Sequence, residues 1–267
     1  MISNEHLDKI IFGTARLHHI RNFDLFKILI NEVINSGINK FDIAPLYGFG
    51  INELRLSRIL YDNKCLLNTK TGLFVPKFFF QESLTEYWIR LFLKKALFKN
   101  YSADTQHCIN QLNNTTKIFK NKAVINSLYL HEPNYLNFKK DKNFKQDMRM
   151  ILNLQDKYQI KNIGLAGEKV FKLPLSQNLY KINSFQTSAC TFMQTPEDVL
   201  IKIMKNSSEI NLYGLKDINQ IILRHKIKKI SSLLNSRLAF RFIISTKNPS
   251  NLKDILYQLK PILDYEN

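Results

Sequence analysis

Short apolar runs alternate along this chain with longer stretches whose apolar residues recur at helical spacing. Eight of the runs have the length and content of strands: KIIFGTA (9–15), NKFDIAP (39–45), CLLNTKTG (65–72), VINSLYLHEP (124–133), KNIGLAGE (161–168), INSFQTSA (182–189), INLYGL (210–215) and FRFIIS (240–245). Between them lie helix-like segments such as FDLFKILINEVINSG and TPEDVLIKIMKNSS. The second opens on Thr195, with Pro196 at the predicted first helical position and Glu197 and Asp198 in the first turn. Eight strands alternating with helices predict an α/β fold, a parallel sheet closed into a (β/α)8 TIM barrel, as a single domain over residues 1–267.

Strand parity sharpens the picture, because alternate residues of a barrel strand face the lumen and the helices in turn. In VINSLYLHEP the set Ile125, Ser127, Tyr129 and His131 is the more polar one and is assigned to the lumen. Lys70 shares parity with Leu66 and Asn68, Gln186 with Ser184 and Ser188, and Tyr213 with Asn211. Polar lumen positions near the C-terminal ends of strands are where barrel enzymes place their sites. One stretch departs from the pattern. Residues 73–102 form a long connection after the third strand, rich in aromatic residues and holding Trp88. It reads as a substrate-covering lid, a subunit contact, a basic amphipathic stretch, or an extra helix over the barrel rim.

Length and composition bound the rest. The 267 residues match one barrel of about 250 residues. Net charge is +17, with a pI near 9.7. The lysines are scattered along helix-like stretches, so the charge reads as composition rather than as a nucleic-acid surface. The N-terminal MISNEHLDKI has no apolar signal region, and no apolar run reaches the ~20 residues needed to span a bilayer. Neither a membrane nor a nucleic-acid partner is expected, and a cytoplasmic location is. Cys65, Cys108 and Cys190 lack framework or metal spacing and read as small apolar residues; no metal site is expected.

The candidate chemistry starts in FDIAPLYGFGINELRLSRIL (41–60). Asp42 lies among Phe41, Ile43 and Ala44, where an unpaired carboxylate is costly, so it calls for a cationic partner or a site mouth. Tyr47 follows five residues later beside a glycine turn, Lys70 ends CLLNTK, and His131 ends INSLYLH. Each lies near the end of a strand-like run, so a barrel would gather all four at one mouth.

This ordered set resembles the aldo/keto reductase family, and the match is traceable from IIFGTARL to STKNPSNLKDIL. The resemblance implies an NAD(P)H-dependent oxidoreductase interconverting a carbonyl (aldehyde, ketone or sugar) and an alcohol. In that scheme Tyr47 donates the proton, Lys70 lowers its pKa, Asp42 holds Lys70, and His131 orients the carbonyl oxygen. It also implies a cofactor site of Gly13 and Thr14 near the first strand, Gln186 on the carboxamide, and Tyr213 stacked on the nicotinamide. Gly214 and Leu215 would follow that aromatic, and Ser245, Thr246, Lys247 and Asn248 would grip the adenosine phosphate before Pro249 starts a helix, with NADP(H) favoured over NAD(H). Three departures stand out. The Ser-Asn pair that usually ends the fifth strand is Ala166 and Gly167, followed by Glu168, which could itself meet the carboxamide or start a solvated loop. The usual Ser-Pro-Leu is Gly214, Leu215 and Lys216. An arginine of the phosphate segment is replaced at Asn251. Two other readings stay open: a non-catalytic nucleotide- or partner-binding barrel, and non-redox chemistry on the same fold.

Overall fold

The computed structural model describes residues 3–62, 64–73, 105–133, 152–172, 182–205, 207–234 and 238–264. All eight strands form: β1 (Ile10–Gly13), β2 (Lys40–Asp42), β3 (Cys65–Thr71), β4 (Ala123–His131), β5 (Asn162–Ala166), β6 (Ser184–Ser188), β7 (Glu209–Tyr213) and β8 (Ala239–Ile244). They pair in parallel and in sequence order, and β8 returns to β1 with Ile10 opposite Phe242 and Phe12 opposite Ile244. The chain is therefore a closed (β/α)8 barrel, as the periodicity predicts. The 73–102 connection lies, beyond Leu73, outside the described residues.

The helices follow from local sequence. Helix Phe23–Asn35 buries Phe26, Leu29, Ile30 and Val33, one apolar stripe at helical spacing. Asn22 caps it by accepting from the Asp24 and Leu25 backbone N–H groups. The helix predicted from Thr195 begins later, at Glu197. Pro196 is extended (ψ 146°) and stands as its cap, while the Thr195 hydroxyl bonds back to the Thr191 carbonyl and closes the preceding helix Ala189–Gln194. Cys65 and Cys108 are buried as small apolar residues, whereas Cys190 is exposed. Among the described residues no helix is long and apolar enough to cross a membrane.

The predicted parity of β4 is corrected at its N-terminal end. Register runs Leu66 to Val124 and Leu67 to Ile125, then jumps to Asn68 opposite Ser127, so Asn126 is an inserted residue. Such a bulge shifts the alternation by one. Ser127, Tyr129 and His131 keep the predicted lumen side, but Ile125 pairs with Leu67 and joins the core between sheet and helices.

The lumen is filled by hydrogen-bonded polar side chains. The Tyr129 hydroxyl meets Ser184 Oγ at 2.7 Å and accepts from Asn211 Nδ2 at 2.5 Å. Asn211 also donates to Glu209, whose other oxygen accepts from Arg241 Nε at 2.6 Å. Arg241 and Lys40 then converge on Asp8, just before β1, so charged groups plug the N-terminal end of the barrel. Tyr129 fits only because residue 164 is glycine. A Cβ there would stand 2.5 Å from the tyrosine ring and 2.4 Å from the Ser184 carbonyl oxygen.

Glu209 is 6% exposed and depends on Arg241 for its charge balance. Arg241→Met should strand that carboxylate and destabilise the fold by about 3 kcal/mol in denaturant unfolding. A change below about 0.5 kcal/mol, ordinary for a surface substitution, would show that the pair does not hold the barrel end.

Candidate active site

The C-terminal strand ends bring the four predicted residues to one cavity of about 740 Å³. Asp42 ends β2, Lys70 lies near the end of β3, His131 ends β4, and Tyr47 opens a turn directly after β2. Lys70 Nζ donates to Asp42 Oδ1 at 2.5 Å, and the Tyr47 hydroxyl donates to Asp42 Oδ2 at 3.3 Å. The Lys70 ammonium stands 4.9 Å from the centre of the Tyr47 ring, and His131 meets that ring edge-on with centroids 6.2 Å apart.

Local backbone holds this arrangement. The turn after Tyr47 runs through Gly48, Phe49 and Gly50 at positive φ (60°, 53° and 88°). At Gly48 a Cβ would also lie 2.6 Å from His18 Cβ, so the tyrosine turn is pressed onto the loop after β1. The helix that follows, Ile51–Ser57, is fastened to the same loop. Asn52 donates to the Thr14 carbonyl at 2.7 Å and Arg55 to the Ile20 carbonyl at 2.6 Å. Thr14 uses both its backbone N–H and its hydroxyl on the Asp42 carbonyl.

The electrostatics assign the protons. Burial, then the Asp42 charge and hydrogen bond, raise the Tyr47 pKa well above that of a free phenol. Any lowering by Lys70 is outweighed by burial and by Asp42, so the phenol keeps its proton. Burial also depresses the His131 pKa to about 3, helped by the Lys70 charge, so the imidazole is neutral at working pH. Lys70 itself is pulled down by burial and held up by Asp42. One buried acid was missed in the sequence. Glu53 lies behind Lys70, fully buried, accepting from the Thr115 hydroxyl at 3.0 Å, with a carboxyl raised to about 7 by burial.

Of the predicted cofactor positions, Gly13, Gln186, Tyr213, Gly214, Leu215 and Ser245 line the cavity. Thr14 does not; it braces Asp42. Thr246, Lys247 and Asn248 lie on the exposed turn beyond Ser245, where Thr246 and Asn248 bond to each other. The following helix spans Asn251–Leu263, so Pro249 opens the turn before it rather than the helix itself. Glu168 is not in the cavity wall and is not simply solvated. Its carboxylate accepts from Ser188 at 2.6 Å, from Tyr213 at 2.7 Å, and from Thr191. The cavity also takes in Arg16, Glu132, Gly167 and Lys216, which the motif reading did not single out as site residues.

A sequence profile of the aldo/keto reductase family matches residues 9–253. The chain belongs to the aldo/keto reductase family. Its activity is accordingly that of an NAD(P)-dependent oxidoreductase. No curated protein sequence matches it. Solved structures share the fold at low identity. A putative aldo-keto reductase from Pseudomonas aeruginosa is 14% identical with a TM-score of 0.65, over 97% of this chain and 90% of that one. A glycerol dehydrogenase from Gluconobacter oxydans is 14% identical with a TM-score of 0.62, over 96% and 90%. An aldo/keto reductase from Klebsiella pneumoniae, in complex with NADP and acetate, is 13% identical with a TM-score of 0.58, over 96% and 86%.

The cavity suits a nicotinamide nucleotide. Gln186 is 3% exposed and lines the wall, and its Oε1 has no hydrogen-bond partner among the described residues. A buried orphan of this kind is satisfied by a ligand that brings a donor. Gly214, at φ 71°, turns the chain sharply after Tyr213 and leaves that ring at the cavity edge.

Glu53 and His131 give the reductase opposite pH dependences. The folded state keeps the Glu53 proton between about pH 4.5 and 7, after the unfolded chain has lost it, so stability falls as pH rises through that window. His131, depressed to about 3, works the other way and loses stability as pH falls below about 6.5. Glu53→Gln should therefore raise stability near neutrality by about 3 kcal/mol relative to pH 4.5 and leave the acid limb intact. Parallel stability curves for the two proteins across pH 4.5–7 would refute the Glu53 assignment.

Proposed function

We propose that this enzyme interconverts a small carbonyl compound (an aldehyde, ketone or sugar) and its alcohol, with Tyr47 as the proton donor. The observation that carries the reading is the convergence of the Tyr47 hydroxyl and the Lys70 ammonium on the two oxygens of Asp42, beside a neutral His131. A bound reduced nicotinamide supplies the hydride, which no side chain can. The residues supply the rest. The raised pKa keeps the proton on Tyr47 until a carbonyl oxygen takes it, and the nearby Lys70 ammonium stabilises the phenolate that remains. His131, being neutral, acts as a hydrogen-bond donor to the carbonyl oxygen and does not compete as an acid. Asp42 holds Lys70 charged in a setting only 2% exposed. In the oxidative direction Tyr47 takes the alcohol proton back.

NADP(H) is the proposed cofactor. Ser245 lines the cavity, and the exposed turn just beyond it carries Lys247 toward the N-terminus of helix Asn251–Leu263, where Ser250 makes no side-chain cap bond. The positive end of a helix dipole with an adjacent cation suits a phosphate. Arg16 and Lys216 add positive charge along the cavity.

Tyr47→Phe tests the chemistry. It should lower carbonyl turnover by about 10²- to 10⁴-fold and leave NADPH binding nearly unchanged. Near-normal turnover on several carbonyls would remove Tyr47 from the role. Lys247→Ala tests the cofactor reading and should weaken NADPH more than NADH; equal losses would show that Lys247 does not sense the extra phosphate.

A further inference from the structure

The wall between His131 and Gln186 is bare at its centre. Ala166 ends β5 there with no polar side-chain atom, and Gly167 follows with no side chain. The room a side chain would take at residue 167 is filled by Glu132. A Cβ on Gly167 would stand 2.5 Å from Glu132 Oε2 and 2.7 Å from Cδ. Backbone conformation produces this. Glu132 follows the site histidine at φ 46°, a left-handed value that non-glycine residues seldom adopt, and its N–H bonds the Ala166 carbonyl at 2.6 Å. Gly167 in turn bonds the Gln186 carbonyl at 2.9 Å. The ends of β4, β5 and β6 are thus stitched into one strip, with Glu132 laid across its middle.

Two acceptors therefore share this strip of the cavity wall. One is the orphaned Gln186 Oε1, and the other is the Glu132 carboxylate, which takes the Glu168 backbone N–H. The neighbouring acid cannot substitute for it, because Ser188, Thr191 and Tyr213 already donate to Glu168. Two acceptors on one wall call for a group with two N–H bonds on one nitrogen. We infer that Glu132 is a cofactor-binding residue, accepting one hydrogen of the nicotinamide carboxamide NH2 while Gln186 accepts the other. This rests on the reading of the cavity as a nicotinamide site, and it assigns to Glu132 the contact that Ala166 and Gly167 cannot make. Burial and the nearby Glu168 charge hold the Glu132 carboxyl above its ordinary range, a cost that a bound NH2 offsets.

The test compares binding of three probes by calorimetry: NADP⁺, its 3-acetylpyridine analogue (a methyl group in place of the amide NH2), and 2′,5′-ADP, which lacks the nicotinamide. NAD⁺, its 3-acetylpyridine analogue and ADP are run in parallel. The parent protein should bind the amide cofactor about 10-fold or more tighter than the methyl analogue. Glu132→Met, of similar length but with no acceptor, should lose most of that preference and keep its affinity for the adenosine fragment, which also shows that the variant is folded. Glu132→Gln, which keeps an acceptor oxygen, should retain much of the preference. An unchanged preference in Glu132→Met, or an effect confined to the KM of the carbonyl substrate, overturns the assignment and makes Glu132 a substrate-side residue. A parent protein that binds neither series fails at the earlier step, and the nicotinamide reading falls with this one.

Discussion

The Asp42–Lys70 ion pair is the interaction on which the site depends. Both side chains are about 2–3% exposed, so each charge is tolerable only because the other is there. The pair also bonds β2 to β3 across the barrel mouth and gives Tyr47 its acceptor. Much of the surrounding structure keeps the pair in place. Thr14 fixes the Asp42 backbone from β1, Asn52 and Arg55 fasten the following helix to the β1 loop, and the positive-φ turn through Gly48 sets Tyr47 above the pair. Removing one partner would leave a buried charge and loosen the turn at once.

Below the pair the lumen has a polar design. Barrel interiors of this class are commonly packed with branched aliphatic residues. Here Tyr129, Ser184, Asn211 and Glu209 form a continuous hydrogen-bonded column that ends on Arg241, Asp8 and Lys40. Bonds from Tyr129 to Ser184, from Asn211 to Tyr129 and from Arg241 to Glu209 cross between strands, so the register of β4, β6, β7 and β8 is tied to the column. The column and the active site thus use the same device at the two ends of the barrel: charges paired across strands, with neutral hydrogen bonds between them.

The upper wall shows how the site copes with unusual residues at the end of β5. Ala166 and Gly167 remove side-chain polarity, yet the vacated volume is taken by a carboxylate from the neighbouring strand rather than left as a void. Glu168 is meanwhile drawn outward by three hydroxyl donors, which ties Tyr213 to the end of β6. Two acids far apart in sequence and close in space are thereby given different environments, one saturated with donors and one facing the cavity.

The sequence by itself determined the barrel and grouped four candidate residues at its mouth. Strand and helix periods are local properties, so eight alternating runs could be read directly, and strand ends in a parallel barrel must meet at one mouth. That is why Asp42, Tyr47, Lys70 and His131 could be grouped from positions far apart in the chain. What the tertiary structure decided involves neighbours that no local pattern encodes. The bulge at Asn126 moved Ile125 to the core side, because register depends on the partner strand. Thr14 bonds the Asp42 carbonyl rather than lining the cavity, and burial together with Asp42 raised the Tyr47 pKa where Lys70 alone would have lowered it. Glu53 reads as an ordinary helical acid until burial behind Lys70 shifts it to about 7. Glu132 stands beside the site histidine in the sequence, but its direction came from a left-handed backbone and from the empty side chain of Gly167 on another strand. Hydrogen-bond partners, desolvation and free volume are set by packing across strands, and only the folded chain fixes them.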